Sequence, residues 1–567
     1  MTVDKLSQLS FMPFNSIDKS RPVLIIDDSS MYRTAAKGML QKLGYEGEML
    51  HFAQDAKEAL LRCRQHSYGL VFFDYNLGDK ANGFQLIDEL QTKGLLAADC
   101  VTIIVTGDAT ADVVRGFMEL EPDGYLLKPL NYSTLKERLP GFIRKKKLLS
   151  DVLVTYDKKQ YESAITLIDE NFYTDDDIIV RSQLIKANAL IKLDRLDEAR
   201  NVLINLKDSG ENGRVMLALG QIALKQRQYK QGIFLLKPLK KDTFLSAAAS
   251  HLSSELNVAQ IQFREAIEEI DNAITISPKM IQRHWLKVYL HMALFELPIA
   301  IQAIKSMILE SRHSFRESVE MYQLGALLLL DQAQFSSHKS RLVHLSAFTK
   351  WVESWRANFD RLTYKPMELL LYARGNILKS NLTKARECLD EYNQLIAQLE
   401  NHTPSLFEQI ELSRVTLLMG NHSDYIKQSE AINIKLKREP FTSEHKAVLA
   451  YMSQWRSKSE RLSESANKMK KEAIRCIENR NFERASIILA KAIDSQAADP
   501  EIAKLLLGVL TRAWPANMGR REVTSLVLRC REQLKGTDFI KSKEFYAQSK
   551  ILAQQLDFKD LQSNPVA

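Results

Sequence analysis

The sequence contains little cysteine, and it has no long apolar stretch. Its five cysteines are odd in number, lie far apart and form no CxxC pair: Cys63, Cys100, Cys388, Cys476 and Cys530. This pattern argues against a disulfide framework and a zinc site, and it is typical of a reducing compartment. No apolar run approaches 18 residues, so no membrane-spanning helix is expected. Composition therefore predicts a soluble, intracellular protein.

Helix-breaking residues are also scarce, since the 567 residues include only 21 glycines and 14 prolines. Such a composition favours a mostly helical protein. One compact domain is not expected at this length. Residues 1–21 are interpreted as a polar extension, because they lack the basic region and apolar core of a secretion signal.

The formal net charge of +8 is mild for a chain of this length. Short basic clusters at 144–147, 237–241 and 468–471 are interpreted mainly as solvated faces. No helix-turn-helix of the DNA-reading kind is apparent in the sequence. Binding to nucleic acid is therefore not expected.

Four short runs in the first quarter of the chain predict buried parallel strands with helices on both faces. The runs are rich in Val, Ile, Leu and Phe, and they cover 23–27, 70–74, 101–106 and 124–128. Function in such a sheet gathers at the carboxyl ends of the strands. Six polar residues lie at or beside the predicted strand ends: Asp27, Asp28, Asp74, Thr106, Tyr125 and Lys128.

These residue types favour phosphoryl chemistry. Three converging carboxylates need a cation, and oxygen ligands without His or Cys suit Mg²⁺. Asp74 stands alone at the end of the central strand and is the natural nucleophile, since carboxylates are known to form aspartyl phosphates. The metal and the Lys128 ammonium would neutralise charge on the transferring group. Thr106 would hydrogen-bond a phosphoryl oxygen.

Residues 22–148 resemble a receiver domain of bacterial two-component response regulators, of the CheY-like kind. The matching segments are IIDDSS (25–30), FFDYNLG (72–78), IIVTGDA (103–109) and DGYLLKPL (123–130). The resemblance implies an α/β flavodoxin-like fold, a doubly wound five-stranded parallel sheet. Gly78 departs from it, because the family usually has Pro there, and the loop from Asp74 to Gly83 is one residue longer.

The resemblance also assigns roles in the pocket. It makes Asp74 the phosphoacceptor for a sensor histidine kinase. Asp28, Asp74 and the backbone carbonyl of Asn76 would be Mg²⁺ ligands, and Asp27 would act through water. A bacterial, cytoplasmic signalling protein is implied.

Further roles concern the response to phosphorylation. The resemblance implies that Lys128 contacts the phosphoryl group and that Thr106 and Tyr125 form a switch pair. Their movement would remodel the face made by roughly 111–120 and 131–143, and this face could pack on the helical region that follows.

After residue 148, apolar residues recur at helical spacing almost to the end. A pattern of a bulky residue followed three positions later by a small one occurs in YESA (161–164), LDEA (196–199), YKQG (229–232), FREA (263–266) and LPIA (297–300). The small residues are spaced by 35, 33, 34 and 34. This period resembles that of the tetratricopeptide repeat (TPR), a helix–turn–helix unit. Small residues allow its helices to approach closely.

We therefore predict TPR-like repeats over 149–330 and a further helical, degenerate TPR-like region over 331–567. LTKA (382–385) and FERA (482–485) resemble later units, but the register is lost between them. A solenoid of helix pairs offers a concave surface that binds peptides or protein faces. No catalytic motif occurs after residue 148, so the protein is not expected to be an enzyme.

Three functions are consistent with these features. The favoured one is a response regulator phosphorylated on Asp74, with output through protein–protein interaction of the repeat region. The alternative is a phosphate sink that competes with a sibling regulator for the kinase. A transcriptional regulator with an unrecognised nucleic-acid surface is the third.

Overall fold

A computed structural model describes the chain in eight stretches: 20–78, 81–107, 119–208, 212–399, 402–438, 442–495, 499–535 and 537–558. It divides into two compact units. The first unit takes its described residues from Met1–Lys287 and Ser306–Glu317, and the second from Val288–Lys305 and Ser318–Ala567. Residues 1–19 of the predicted polar extension and residues 111–118 of the predicted switch face lie outside the described residues.

The first unit begins with a five-stranded parallel sheet. Its strands are β1 (Val23–Ile26), β2 (Leu50–Ala53), β3 (Leu70–Phe73), β4 (Val101–Thr106) and β5 (Gly124–Leu127), in the order β2-β1-β3-β4-β5. The flanking helices are α1 (Ser30–Lys42), α2 (Ala56–Gln65), α3 (Gly83–Thr92) and α4 (Tyr132–Leu148), with a 3₁₀ turn at Gly47–Met49. This architecture confirms the predicted doubly wound sheet. The edge strand β2 is not among the four predicted runs, because its sequence, LHFA, is short and lacks a continuous apolar run. Only its first and last residues are buried.

The sheet is buried on both faces, which explains its continuous apolar strands. Every residue of β1, β3 and β4 is buried. Residues that alternate along a strand join different apolar clusters, since Leu24 and Ile26 pack on one face while Val23 and Ile25 pack on the other. The sheet therefore holds the strand ends rigidly on a solid core.

Helix pairs follow the sheet in the first unit and continue into the second. They are α5 (Ser150–Asp157), α6 (Tyr161–Glu170), α7 (Asp176–Lys192), α8 (Leu196–Asp208), α9 (Gly213–Lys225), α10 (Tyr229–Leu236), α11 (Ser246–Ala259), α12 (Phe263–Ile276), α13 (Ile281–Ala293) and α14 (Leu297–Ser311), with a 3₁₀ turn at Pro238–Lys241. Each sequence pattern begins at the first residue of the second helix of a pair. The small residues Ala164, Ala199, Gly232, Ala266 and Ala300 are all buried.

The turn inside each of these pairs uses one backbone conformation. The residue two positions before the second helix has a left-handed φ of about 60° in each: Lys159, Asp194, Arg227, Ile261 and Phe295. Ser380 and Arg480 repeat this φ later in the chain, and Gly420 has a left-handed φ of 90° at an equivalent position. The helical hairpin is thus a recurring structural unit, while its assignment to the tetratricopeptide family stays a prediction.

The rest of the second unit is helical in its described part. Its helices are α15 (Val319–Gln334), α16 (His338–Arg356), α17 (Arg361–Leu378), α18 (Leu382–Gln398), α19 (Leu406–Leu418), α20 (His422–Lys437), α21 (Ser443–Glu478), α22 (Phe482–Ser495), α23 (Pro500–Leu510), α24 (Arg520–Leu534) and α25 (Lys543–Leu556), with a 3₁₀ turn at Asp538–Lys541. Across the described residues, none of the helices combines the length and apolar character needed to cross a bilayer.

Candidate functional site

The carboxyl ends of β1, β3 and β5 bring Asp27, Asp74 and Lys128 together. The backbone ladder continues one residue beyond each strand: the Asp74 N–H donates to the Ile26 carbonyl at 3.0 Å, and the Lys128 N–H to the Thr106 carbonyl at 2.9 Å. These bonds hold the three side chains at one edge of the sheet. Asp27 and Asp74 are almost fully buried, at 1% and 4% exposure.

Lys128 joins the two buried carboxylates. Its Nζ lies 2.6 Å from Asp27 Oδ2 and 2.8 Å from Asp74 Oδ2. The other oxygen of Asp27 accepts the Ser29 N–H at 2.9 Å. A single ammonium therefore faces two carboxylates, and it stands where it could equally neutralise a phosphoryl group on Asp74.

The charges in this cluster shift one another's protonation. Burial raises the pKa of Asp74, although the hydrogen bond and charge of Lys128 oppose this rise. Burial also works against the Lys128 ammonium, but hydrogen bonds to Asp27 and Asp74 outweigh it, and the pKa of Lys128 is raised. Lys128 thus keeps its charge while holding Asp74 closer to the ionised form that a nucleophile needs.

The site also fits a hard divalent cation. The carboxylate oxygens of Asp27, Asp28 and Asp74 lie within 4.8 Å of one another, and Asp28 is exposed. An all-oxygen set with one open side matches the preference of Mg²⁺ for a few carboxylates and several waters. Asn76 is exposed in the loop two residues beyond Asp74. Its carbonyl as a ligand stays a prediction from the resemblance.

Thr106 and Tyr125, the predicted switch pair, lie on neighbouring strands. Thr106 is the last residue of β4 and is fully buried, while Tyr125 is the second residue of β5 and is half-buried. Their strands pair in register, with Ile104 opposite Tyr125 and Thr106 opposite Leu127. The Thr106 carbonyl accepts the Lys128 N–H at 2.9 Å, and Tyr125, on β5, lies three residues before Lys128. The switching role of the pair stays a prediction.

Two residues of the site were missed from the sequence. The Tyr32 ring lies under the Lys128 ammonium, 4.4 Å from Nζ to the ring centroid, as in a cation–π contact. At Gly83, which begins α3, a Cβ atom would lie 2.0 Å from the Asp74 carbonyl oxygen. Neither position has a distinctive sequence signal, because each contact exists only after the loops fold together.

Gly78, the predicted departure from the family pattern, has a structural explanation. Its φ is +83°, a left-handed conformation that glycine adopts freely and that the ring of proline forbids. The loop after Asp74 therefore follows a path here that a proline at this position could not take.

Replacing Lys128 with Met tests the electrostatics of the pocket. Without the ammonium, the pKa of Asp74 should rise further, because the hydrogen bond and charge that oppose its rise are lost. The acid limb of the pH–rate profile for phosphorylation by acetyl phosphate should move to higher pH. Lys93→Met, which removes the lysine directly after α3, should leave the profile in place. An unmoved acid limb in Lys128→Met would contradict the role given to this residue.

Comparison with known proteins concerns the N-terminal region. The family model for the response regulator receiver domain matches residues 23–140, which contain all five strands and the pocket. Among curated proteins, an uncharacterized response regulatory protein of Staphylococcus epidermidis is 29% identical over 142 residues, which are 25% of this chain and 53% of that protein. Transcriptional regulatory protein CiaR of Streptococcus pneumoniae is 32% identical over 102 residues, which are 18% of this chain and 44% of CiaR. The chain spans about half the length of these curated relatives.

Solved structures match the same region. A CheY-like receiver domain protein from Methanospirillum hungatei is 25% identical and covers 22% of this chain and 96% of its own, with a TM-score of 0.20. The chemotaxis protein CheY4 of Vibrio cholerae is 24% identical and covers 22% of this chain and 98% of its own, also with a TM-score of 0.20.

Proposed function

We propose that this protein, whose N-terminal domain is a response regulator receiver domain, accepts a phosphoryl group on Asp74 from a sensor histidine kinase. The helical region is proposed to act by binding a protein partner, without catalysis of its own. The observation that best supports phosphorylation is the Lys128 ammonium within 2.8 Å of Asp74, beside a cluster of three carboxylates. Contacts between the receiver domain and helical residues of the same unit support this output.

In the proposed transfer, an Asp74 carboxylate oxygen forms a bond to phosphorus while the P–N bond of the kinase phosphohistidine breaks. The electron pair leaves with the imidazole, which takes up a proton. Lys128 would stay bonded to the oxygens of the transferred group. Mg²⁺ held by Asp27, Asp28, Asp74 and the Asn76 carbonyl would supply charge neutralisation.

Helix α3 offers a direct route from the pocket to the helical region. Its first residue packs on the loop that carries Asp74: the Gly83 N–H donates to the Tyr75 carbonyl at 2.8 Å, and no side chain fits between Gly83 and the Asp74 carbonyl. Movement of this loop on phosphorylation would therefore shift the start of α3. Since a helix moves largely as one body, the shift would reach the side that faces away from the sheet.

The side of α3 that faces away from the sheet contacts the end of α14 and the residues that follow it. Arg316 donates hydrogen bonds to both Asp88 carboxylate oxygens, from Nε and from Nη2, each at 2.6 Å. Its Nη2 also donates to the Thr92 hydroxyl at 3.1 Å. Gln85 Nε2 donates to the carbonyls of Glu310 and Arg312, both at 3.4 Å. A shift of α3 would strain these bonds, so phosphorylation could alter the helical region through them.

Hydrogen exchange of the full chain tests this route. In Mg²⁺, beryllofluoride as a phosphoryl mimic should change amide protection by severalfold in α3 and in 310–316. The Asp74→Asn variant should show no such change, and α20 in the second unit serves as an internal control. A response confined to the loops around the pocket would contradict transmission through α3.

A further inference from the structure

Three arginines recur at multiples of about one repeat period on the first helices of three helix pairs, with the α11–α12 pair lying between the second and the third. Arg181 lies on α7, Arg214 on α9 and Arg283 on α13, each the first helix of its pair. They are separated by 33 and 69 residues, which are one and two repeat periods. Residues one period apart in a helical solenoid lie on one face, so the three form a row, which we call the arginine row.

The arginine row faces an acidic segment of the receiver domain. This segment, 119–123 with the sequence ELEPD, leads directly into β5. Its three carboxylates meet the three arginines in order: Glu119 contacts Arg283, Glu121 contacts Arg214 and Asp123 contacts Arg181. Because each arginine of the row contacts one carboxylate of this segment, the receiver segment is an occupant of the row.

The three contacts differ in strength. Both oxygens of Glu119 are engaged by Arg283, with Nη1 3.1 Å from Oε1, and their side chains are only 7% and 2% exposed. By contrast, Arg214 Nε lies 3.9 Å from Glu121 Oε1, and these side chains are 36% and 65% exposed. The Arg181–Asp123 distance is 3.7 Å, and the closer partners of Asp123 are Lys146 Nζ and the Thr102 N–H, both at 3.0 Å. The receiver segment thus contacts the arginine row closely at Arg283 and loosely at Arg214 and Arg181.

A cavity of about 890 Å³ lies along the loose part of the row. Its wall includes Arg181, Arg214 and apolar side chains, among them Leu217 and Phe244, and Phe244 is 44% exposed. Asp177 and Asp242 also line it. The mixture suits a peptide with separated carboxylates and apolar side chains between them. The two aspartates would repel the unbroken negative backbone of a nucleic acid.

We propose that the arginine row and its cavity bind an acidic, extended segment of a partner protein, and that receiver residues 119–123 hold part of this site in the present structure. Receiver residues 119–123 have the same character as the acidic segment that they keep out of the site, since Leu120 lies between Glu119 and Glu121. The proposal that an acidic segment binds here depends only on the arginine row and its cavity. The control of this binding by Asp74 phosphorylation rests on the function proposed above.

The test uses the full chain and a fluorescein-labelled peptide of sequence MELEPDGY, followed by anisotropy in low salt. Glu121→Gln frees Arg214 from its competitor, and the exposed position of Glu121 protects the fold. This variant should bind the peptide about threefold more tightly than the natural chain, and Glu119→Gln/Glu121→Gln about tenfold. Arg214→Ser in the Glu121→Gln background should reverse the gain.

Arg264→Ser is the matched control, because Arg264 is exposed on α12, the second helix of its pair. It should leave peptide affinity unchanged. Equal affinity in the presence and absence of Arg214 would overturn the proposal. Displacement of the peptide by a single-stranded oligonucleotide at lower concentration than by unlabelled peptide would also overturn it, in favour of a nucleic-acid site.

Beryllofluoride distinguishes peptide binding at the arginine row from the control of that binding by phosphorylation. If it raises peptide affinity of the natural chain but not of Asp74→Asn, both the groove and its release by phosphorylation are supported. If Glu121→Gln binds the peptide more tightly while beryllofluoride has no effect, peptide binding at the arginine row is supported and its control by phosphorylation is contradicted.

Discussion

Replacing Asp74 with Asn should abolish phosphorylation of the full chain by acetyl phosphate in Mg²⁺. The amide oxygen and nitrogen of Asn are poor nucleophiles and carry no charge, so acid-stable, base-labile acyl phosphate should fall to background. Asp27 and Asp28 are the nearby carboxylates, but Asp27 is held by Lys128 at 2.6 Å and by the Ser29 N–H at 2.9 Å. Incorporated phosphate, measured by intact mass, gives the result.

Asp55→Asn is the matched control for this loss. Asp55 caps α2 by accepting the Glu58 N–H at 2.8 Å, and Asn caps helices equally well. This variant removes a receiver carboxylate but should take up phosphate as the natural chain does. Full phosphate incorporation in Asp74→Asn would show that the acceptor is another residue and would overturn the proposed function.

Replacing Asp331 with Ala should lower the free energy of unfolding of the second unit by about 3–5 kcal/mol. Asp331, on α15, is fully buried and receives donors from three other helices. Arg374 Nη1 approaches to 2.6 Å, Arg414 Nη1 and Trp455 Nε1 both to 3.1 Å, and the Tyr451 hydroxyl donates to its other oxygen. Without this carboxylate, the buried guanidinium groups of Arg374 and Arg414 would have less negative charge nearby to balance them.

The other buried acid of this cluster, Glu411, contacts one of the two arginines. Arg374 Nε lies 2.6 Å from Glu411 Oε1. Burial raises the pKa of Glu411, which weakens its hold on the charge, although Arg374 opposes the rise. Asp331, by contrast, contacts both Arg374 and Arg414.

Urea unfolding of the full chain, followed by tryptophan fluorescence, measures the loss. Four of the five tryptophans (351, 355, 455 and 514) belong to the second unit, so the signal reports mainly on it. Glu460→Ala breaks the exposed Arg456–Glu460 pair on α21 and should cost less than about 0.5 kcal/mol. A similarly small cost for Asp331→Ala would show that water or local rearrangement replaces the carboxylate.

Sequence reasoning located the receiver pocket because its geometry follows from chain order. In a parallel sheet, the carboxyl ends of neighbouring strands share one edge, so polar residues that directly follow apolar runs must converge there. Asp27, Asp74 and Lys128 met this condition, and the structure brings them within hydrogen-bonding distance. The edge strand β2 lacked an apolar run, and its place in the sheet was not visible.

The repeats were predictable for a similar reason. Their small residues are spaced by a constant period, and the structure buries each of them at the start of the second helix of a pair. The left-handed turn residues went unnoticed because their side chains share no chemistry: Lys159, Asp194 and Ile261 occupy equivalent positions. Their similarity lies in backbone conformation, which residue type alone does not encode here.

By itself, then, the sequence determined four of the five receiver strands, the residues at their ends and the helical hairpins, because apolar runs and the repeat period are local properties of the chain. Only the tertiary structure decided which distant charges meet. Glu119 and Arg283 are 164 residues apart, and Asp331 and Trp455 are 124 apart. Such pairs depend on how helices pack and which groups are thereby removed from water, and no periodicity or composition records this.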